Sequence, residues 1–548
     1  MKLKRLFAAL GGPVALVLVG GLFLTCQSTP RTPDVKTFPE SVRPQVPTWS
    51  ADDMQFFLHG SMSTEVVPET VLRAFIAAYP DMFPSDDFSH LYAIPDPAFG
   101  WPVGFTRAAP AHLAGLPSIG VNCAACHVAE IESSSGNGRV RVLGVTAQFN
   151  SEGFFSAIVG AGFRTQDPAN MRKFLAAYLK ENERMKGSAK DPAEFAALQS
   201  RFDAAWEKQS TQIAAVMAAD TSGAKSAESG VNELTAAQFA LSDAALDSAN
   251  LADLSASMLK LFHNIRFALH VPDQLPATLP PPSGPGRSDA FGLLSQGLFN
   301  APQPPAPVKY GVVWNVEQRH FVHWDGNTRL PIARNLLAAV GLGAPLVNNH
   351  VRLIFANVQR QTDITQRIAP PRYPFPIDRS AAMRGATLYE ASCASCHTGS
   401  DGDNRLYSPA QIGTDPVRAM LFTQTQADKL NDFLATVKID GYTPPSQPGI
   451  RSTQKYWASS LAGVWARAPY LHNGSVRTMA DLLTAPAGRP ASFHRASSRY
   501  DEAAMGYLDE GPFLMDTRTP ANSNSGHDYG TALTPGQKHD LIEYLKTL

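Results

Sequence analysis

Two pentapeptides carry the chemistry of this chain: Cys123-Ala-Ala-Cys126-His127 and Cys393-Ala-Ser-Cys396-His397. In Cys-x-x-Cys-His the two thiols sit three residues apart, so one helical turn aims both at the vinyl groups of a single porphyrin. The adjoining His then supplies an axial nitrogen to the iron. Two copies predict two covalently bound haem c groups, attached through Cys123, Cys126, Cys393 and Cys396, with His127 and His397 as proximal iron ligands. Cys-x-x-Cys alone also serves zinc ribbons and redox dithiols. The immediate His in both copies argues against those uses, and so does the cysteine count. The two motifs consume four of the five cysteines. Only Cys26 remains, so no intrachain disulfide is expected.

Haem c is attached outside the bacterial cytoplasm, and the N-terminus agrees with export. Met1-Lys-Leu-Lys-Arg5 is a basic start, and an uncharged apolar run follows from Leu6 to Thr25. Such a run is long enough to span a bilayer. Residues 1–26 are read as a signal peptide or a membrane anchor, which would make the membrane a partner. Cys26 raises lipidation, although Thr25 stands where a lipobox wants a small residue such as Gly or Ala. The expected location is the periplasm or cell surface. Residues 27–50, rich in Pro, Ser and Thr, read as an extended linker with no core of its own. A formal net charge of -1 with 17% charged residues points to no nucleic-acid partner.

The elements that must position the motifs are read mainly as helices. The predicted class is mainly α: two cytochrome c-type haem domains with a helical insertion and long irregular loops. The first haem domain would span 51–375, including an insertion at about 165–278 with apolar residues at helical spacing. The second would span 376–548. Its first helix runs into Cys393, and its last opens on the capping box Thr534-Pro-Gly-Gln537.

Several blocks resemble one superfamily. Phe321-Val-His-Trp324-Asp-Gly326 resembles the Phe-x-Trp-Asp-Gly region of bacterial di-haem cytochrome c peroxidases and of the di-haem enzyme of methylamine utilisation. Ala468-Pro-Tyr-Leu-His-Asn-Gly474 resembles their Pro-Tyr-x-His-Asp-Gly block. The size, the block GPGRSDAF at 284–291 and the ending Asn522-Ser-Asn-Ser-Gly-His527-Asp-Tyr-Gly530 look closer to the secreted di-haem rubber oxygenases. The resemblance implies that Trp324 lies on an electron path between the haems; a core Trp in a turn is the plainer reading. It also implies a calcium near Pro469, where the sequence offers only backbone carbonyls and Asn473.

A peroxidase or oxygenase needs one iron with an open position. Peroxidases of this superfamily commonly use a His soon after the first motif, whereas Val128 to Phe262 contains none. Haem 1 is therefore expected to be five-coordinate or to carry water or dioxygen. The peroxidases also place a catalytic Glu downstream of the bridging Trp. Here that segment, 334–350, has no carboxylate. Leu336, Leu337 and Val340 become candidates for an apolar distal wall. For haem 2 the expected distal ligand is His527, with His472, Met515 and Met505 as runners-up.

Three functions follow. The first is dioxygen-dependent cleavage of an apolar, unsaturated, polyisoprene-like substrate at haem 1, with a bis-His haem 2 as electron reservoir. The second is hydrogen peroxide reduction fed by a small redox protein. The third is membrane-tethered electron transfer with both irons closed.

Overall fold

The computed structural model describes residues 42–110, 117–165, single positions between 170 and 184, 283–398 apart from 302 and 348, and 405–548. Residues 1–26 with Cys26, the linker up to residue 41, and nearly all of the insertion at 165–278 lie outside the described residues.

The mainly α expectation is corrected here. Helices hold 39% of residues and strands 14%, so the fold is mixed α/β. Among the described residues the strands form six small sheets. They escaped the periodicity reading because most are two to five residues long, too short for a two-residue repeat to stand out. The clearest case follows the first haem motif. Val128–Ser133 alternates buried and accessible positions from Ala129 on, Arg139–Leu143 runs from exposed to buried, and the two pair antiparallel from Val128↔Leu143 to Glu132↔Arg139. The hairpin turns on Gly136 and Gly138, both with positive φ. A parallel neighbour then adds Arg499↔Glu132. Glu502 closes the same corner by accepting from the Ser133 hydroxyl, 369 residues away in sequence.

Haem motif 1 grows out of a second sheet. Ser118–Val121 is the central strand between Glu65–Pro68 and Phe105–Ala108. Haem motif 2 sits on helices. Arg379–Ser392 leads into Cys393 and crosses the terminal helix Pro535–Leu545. The crossing is close because Gly385 lacks a side chain: a Cβ there would meet the Asp540 carbonyl at 2.0 Å. Arg384 clamps Asp540 with bonds of 2.8 and 2.6 Å, and Tyr389 packs on Tyr544 at 5.1 Å. The capping box at Thr534 forms as its sequence predicts.

One core joins both motifs. It contains Phe57, Val128, Trp314, Trp465, Tyr500 and Leu541, with Cys123 and Cys393 packed against it. The stretch 42–50 joins it too: Val42 and Val46 are buried, and the Gln45 amide donates to Leu143 O at 2.9 Å. This part of the proline-rich segment therefore packs instead of tethering, because its apolar residues find a surface to bury.

Candidate functional site

The first motif is a short helix, Cys123–His127, capped by Asn122, whose side chain accepts from Ala124 N at 2.9 Å. The Asn122 amide also donates to Phe57 O at 3.1 Å and Gly60 O at 3.0 Å, which fixes the motif to the helix Ala51–His59. Gly104, at φ +84°, lies under the motif, where a Cβ would strike Ala125 N at 1.9 Å. Burial, reinforced by the Arg334 charge, pushes His127 down to about 3. Its imidazole is thus neutral, as a metal ligand must be. Its Nδ1 is buried beside the Gly311 backbone, with no hydrogen bond of normal geometry. The aromatic ring beside it among the described residues is Tyr310, at 6.4 Å and edge-on.

Leu336, Leu337 and Val340 lie buried on the helix Pro331–Gly341. They share a cluster with Met62, and Cys123 packs against that cluster. Three further residues here escaped the sequence reading. Met62 Sδ lies 3.6 Å from Cys123 Sγ. Gln361, fully buried, sits beside the same thiol with neither amide atom in a hydrogen bond of normal geometry. Tyr310 donates to Phe149 O at 3.2 Å and bonds Ser151 at 2.8 Å. Met62 and Gln361 carry no local signal, because distant segments bring them in. Tyr310 could have been suspected beside Lys309, a lone charge in the apolar run Val308–Trp314.

In the second motif His397 Nδ1 donates to Ser459 O at 2.8 Å, since a carbonyl can only accept. Nε2 is left as the metal-binding nitrogen. The ring centre of His527 lies 6.3 Å away, with the planes at 44°. A metal–imidazole bond of about 2.0 Å plus ~1.1 Å from nitrogen to ring centre, doubled, gives ~6.2 Å, so the gap fits one metal between the two rings. The loop that brings His527 there is tightly held. Its N–H donates to Ile412 O at 2.8 Å, and Arg489 donates to the carbonyls of Asn524, Gly526 and His527. Gly526 meets Gly413 so closely that a Cβ would lie 2.2 Å from its carbonyl carbon.

The runners-up are engaged elsewhere. His472 stacks on Tyr456 at 4.1 Å and shares a 3.0 Å hydrogen bond with its hydroxyl. Met515 Sδ faces Arg287 and Arg495. Met505 is buried, and its carbonyl accepts from Tyr470.

Trp324 is held at both ends: Nε1 donates to Lys309 O at 3.0 Å, and its own carbonyl accepts from Trp457 N at 2.9 Å. Lys309 Nζ sits 5.4 Å over the indole. The same ammonium donates to Arg467 O and to Pro469 O. Asn473 bonds Ala521 O, Ser523 O and Ser475 N. The Pro469 block therefore does not fit a calcium: a lysine occupies the Pro469 carbonyl and the Arg467 carbonyl before it, and its side-chain oxygens, on Asn473 and Tyr470, are engaged with Ser475 N and Met505 O.

Residues 455–494 match the family described as RoxA-like, cytochrome c-like. The match holds Tyr456, Arg467, Pro469 and His472 and stops short of both haem motifs. It supports a RoxA-related di-haem cytochrome family and a haem-dependent oxidoreductase with covalent haem c and iron. Two uncharacterized proteins of Sinorhizobium fredii (strain NBRC 101917 / NGR234) are similar. With y4iM the chain is 30% identical over 286 residues, covering 43% of this chain and 63% of that one. With y4iJ it is 30% identical over 358 residues, covering 48% and 60%. The chain thus spans roughly three fifths of the length of these curated relatives. Among the described residues no helix is long and apolar enough to cross a membrane.

Proposed function

We propose that this chain is an exported di-haem c-type oxidoreductase that uses dioxygen to cleave an apolar, unsaturated, polyisoprene-like substrate beside the first haem motif. One observation carries the reading: the two motifs have unequal surroundings. His397 faces a second imidazole at one-metal spacing, whereas the ring beside His127 is Tyr310, whose hydroxyl is bonded to Ser151 and Phe149 O.

Haem c, when bound at each motif, would supply a redox-active iron. The chain's residues do the rest. Cys123, Cys126 and His127 hold one group; Cys393, Cys396, His397 and His527 hold the other. With both His397 and His527 holding the group, small molecules would be kept out and that site left for electron storage. Leu336, Leu337 and Val340 exclude water from the Cys123 side and offer a surface for a hydrocarbon. Trp324, fixed by its bonds to Lys309 and Trp457, stands as the aromatic bridge. Peroxide heterolysis would want a free carboxyl beside haem 1. The buried acids near the first motif are committed: Glu65 accepts from Ser61 and Thr106, and Glu69 from Arg73, Arg107 and Trp101.

The test is a visible spectrum of the reduced protein under carbon monoxide, followed by incubation with polyisoprene latex in air. Gas binding by half of the haem, with carbonyl-ended cleavage products, is expected. Gas binding by both haems or neither would overturn the site assignment. One gas-binding haem with no products, but peroxide turnover with a reduced small cytochrome, would replace the oxygenase with the peroxidase.

A further inference from the structure

Two sequence blocks outside the haem motifs meet in the interior and bring a positive charge that, among the described residues, no carboxylate contacts. Arg287, from the GPGRSDAF block, donates to Asn522 Oδ1 at 2.5 Å, the residue that opens the tract ending in His527. Arg287 stands directly across a two-residue antiparallel ladder from Lys309. Arg495 joins them, and its Nη1 and that of Arg287 share one acceptor, Met515 Sδ, at 3.6 and 3.8 Å. A thioether is a weak acceptor. The three cations are 1%, 2% and 3% exposed for Arg287, Lys309 and Arg495.

Like charges opposed across a ladder repel, and an uncompensated buried charge is strongly unfavourable. Yet among the described residues no carboxylate lies at ion-pair distance from any of the three. The acids acting on Arg287 from farther away are Glu152 and Asp415. Glu152 already accepts from Ser283 N and Oγ at 2.9 and 2.6 Å, and Asp415 from Val417 N and Ser523 N at 2.9 and 3.2 Å. Meanwhile Arg287 Nε and Arg495 Nε and Nη2 are buried without partners. Glycines keep the Arg495 guanidinium clear: a Cβ on Gly286 or Gly474 would come within 3.3 Å of it.

We propose that Arg287 and Arg495 together hold one compact, singly charged anion in the protein interior. Three free N–H donors on two guanidiniums suit a halide or a single carboxylate; a sulfate would leave oxygens unpaired. The carboxylate source within reach of the same chemistry is a haem propionate, and the halide source is the solvent. The site would tie the GPGRSDAF block to the loop that carries His527.

The full-length di-haem protein is dialysed into chloride-free methanesulfonate buffer and melted against added chloride at constant ionic strength. Expected for a free halide is a saturable rise in Tm that needs at least tenfold more chloride in Arg495→Met, with bromide found by anomalous scattering between the two guanidiniums. Expected for a propionate is a Tm indifferent to chloride, with one haem midpoint potential lowered in Arg495→Met and in Arg287→Lys. If Arg495→Met fails to fold, the chloride titration, the bromide crystal and Arg287→Lys still decide. A Tm indifferent to chloride, no bromide density and unchanged potentials would overturn the proposal.

Discussion

The two haem motifs share a five-residue pattern, but the chain surrounds them differently. The second hangs from two crossing helices, and a loop pinned by Arg489 brings His527 to face His397. The first grows from a sheet, and its neighbours are Tyr310, Met62, Gln361 and an apolar helix. The local motif decides that iron is held. Remote segments decide what else reaches it.

The sharpest way to break this comparison is His527→Ala. We expect carbon monoxide uptake by the reduced protein to rise from one haem to two, measured by titration at the Soret band. An unchanged uptake would mean that the two motifs do not differ through His527. Leu337→Ala cuts into the wall beside Cys123 and should cost about 2–5 kcal/mol of stability by denaturant melts. The spectrum of the first haem should shift while that of the second stays, and the reverse would misassign the wall. Gly385→Ala acts on the other region. It sets a methyl against the Asp540 carbonyl and should cost roughly 1–3 kcal/mol, with the second haem perturbed. Trp324→Phe removes the indole without disturbing either wall. Electron exchange between the haems should slow about tenfold, a barrier rise of about 1.4 kcal/mol, in stopped-flow reduction; an unchanged rate would make Trp324 a core residue only.

The smallest effect is on pH dependence. Burial holds His323 at about 3, below its ordinary value. Between that value and roughly 6.5 the unfolded chain binds the extra proton, so stability falls as pH drops through this window and is whole above it. His323→Asn should flatten that slope, read from Tm against pH.

Much of the site was legible because its chemistry is contiguous. Cys-x-x-Cys-His and the capping box at Thr534 each specify their geometry within a few residues. His527 was singled out by its position before the last helix, and the fold brings its ring to His397. The small sheets were not legible, since two-residue ladders such as Arg287↔Lys309 leave no periodic trace and their partners are far apart in sequence. Met62 and Gln361 were missed for the same reason: an apolar Met and a Gln on an amphipathic helix look like core and surface until the fold places them on Cys123. The calcium was misplaced because a sequence does not reveal that a lysine from another strand ends on the Arg467 and Pro469 carbonyls.

The parallel pairing of Glu132 with Arg499 bears on how the molecule is made. The strand leaving the first haem motif waits for a neighbour synthesised hundreds of residues later, and the shared core waits for the helix Pro535–Leu545. Both Cys-x-x-Cys-His segments can therefore be presented to the attachment machinery on an unclosed chain, and final closure can follow with both porphyrins in place. A chain cut before residue 499 would keep the first motif and its hairpin but lose the parallel strand that pairs with Glu132.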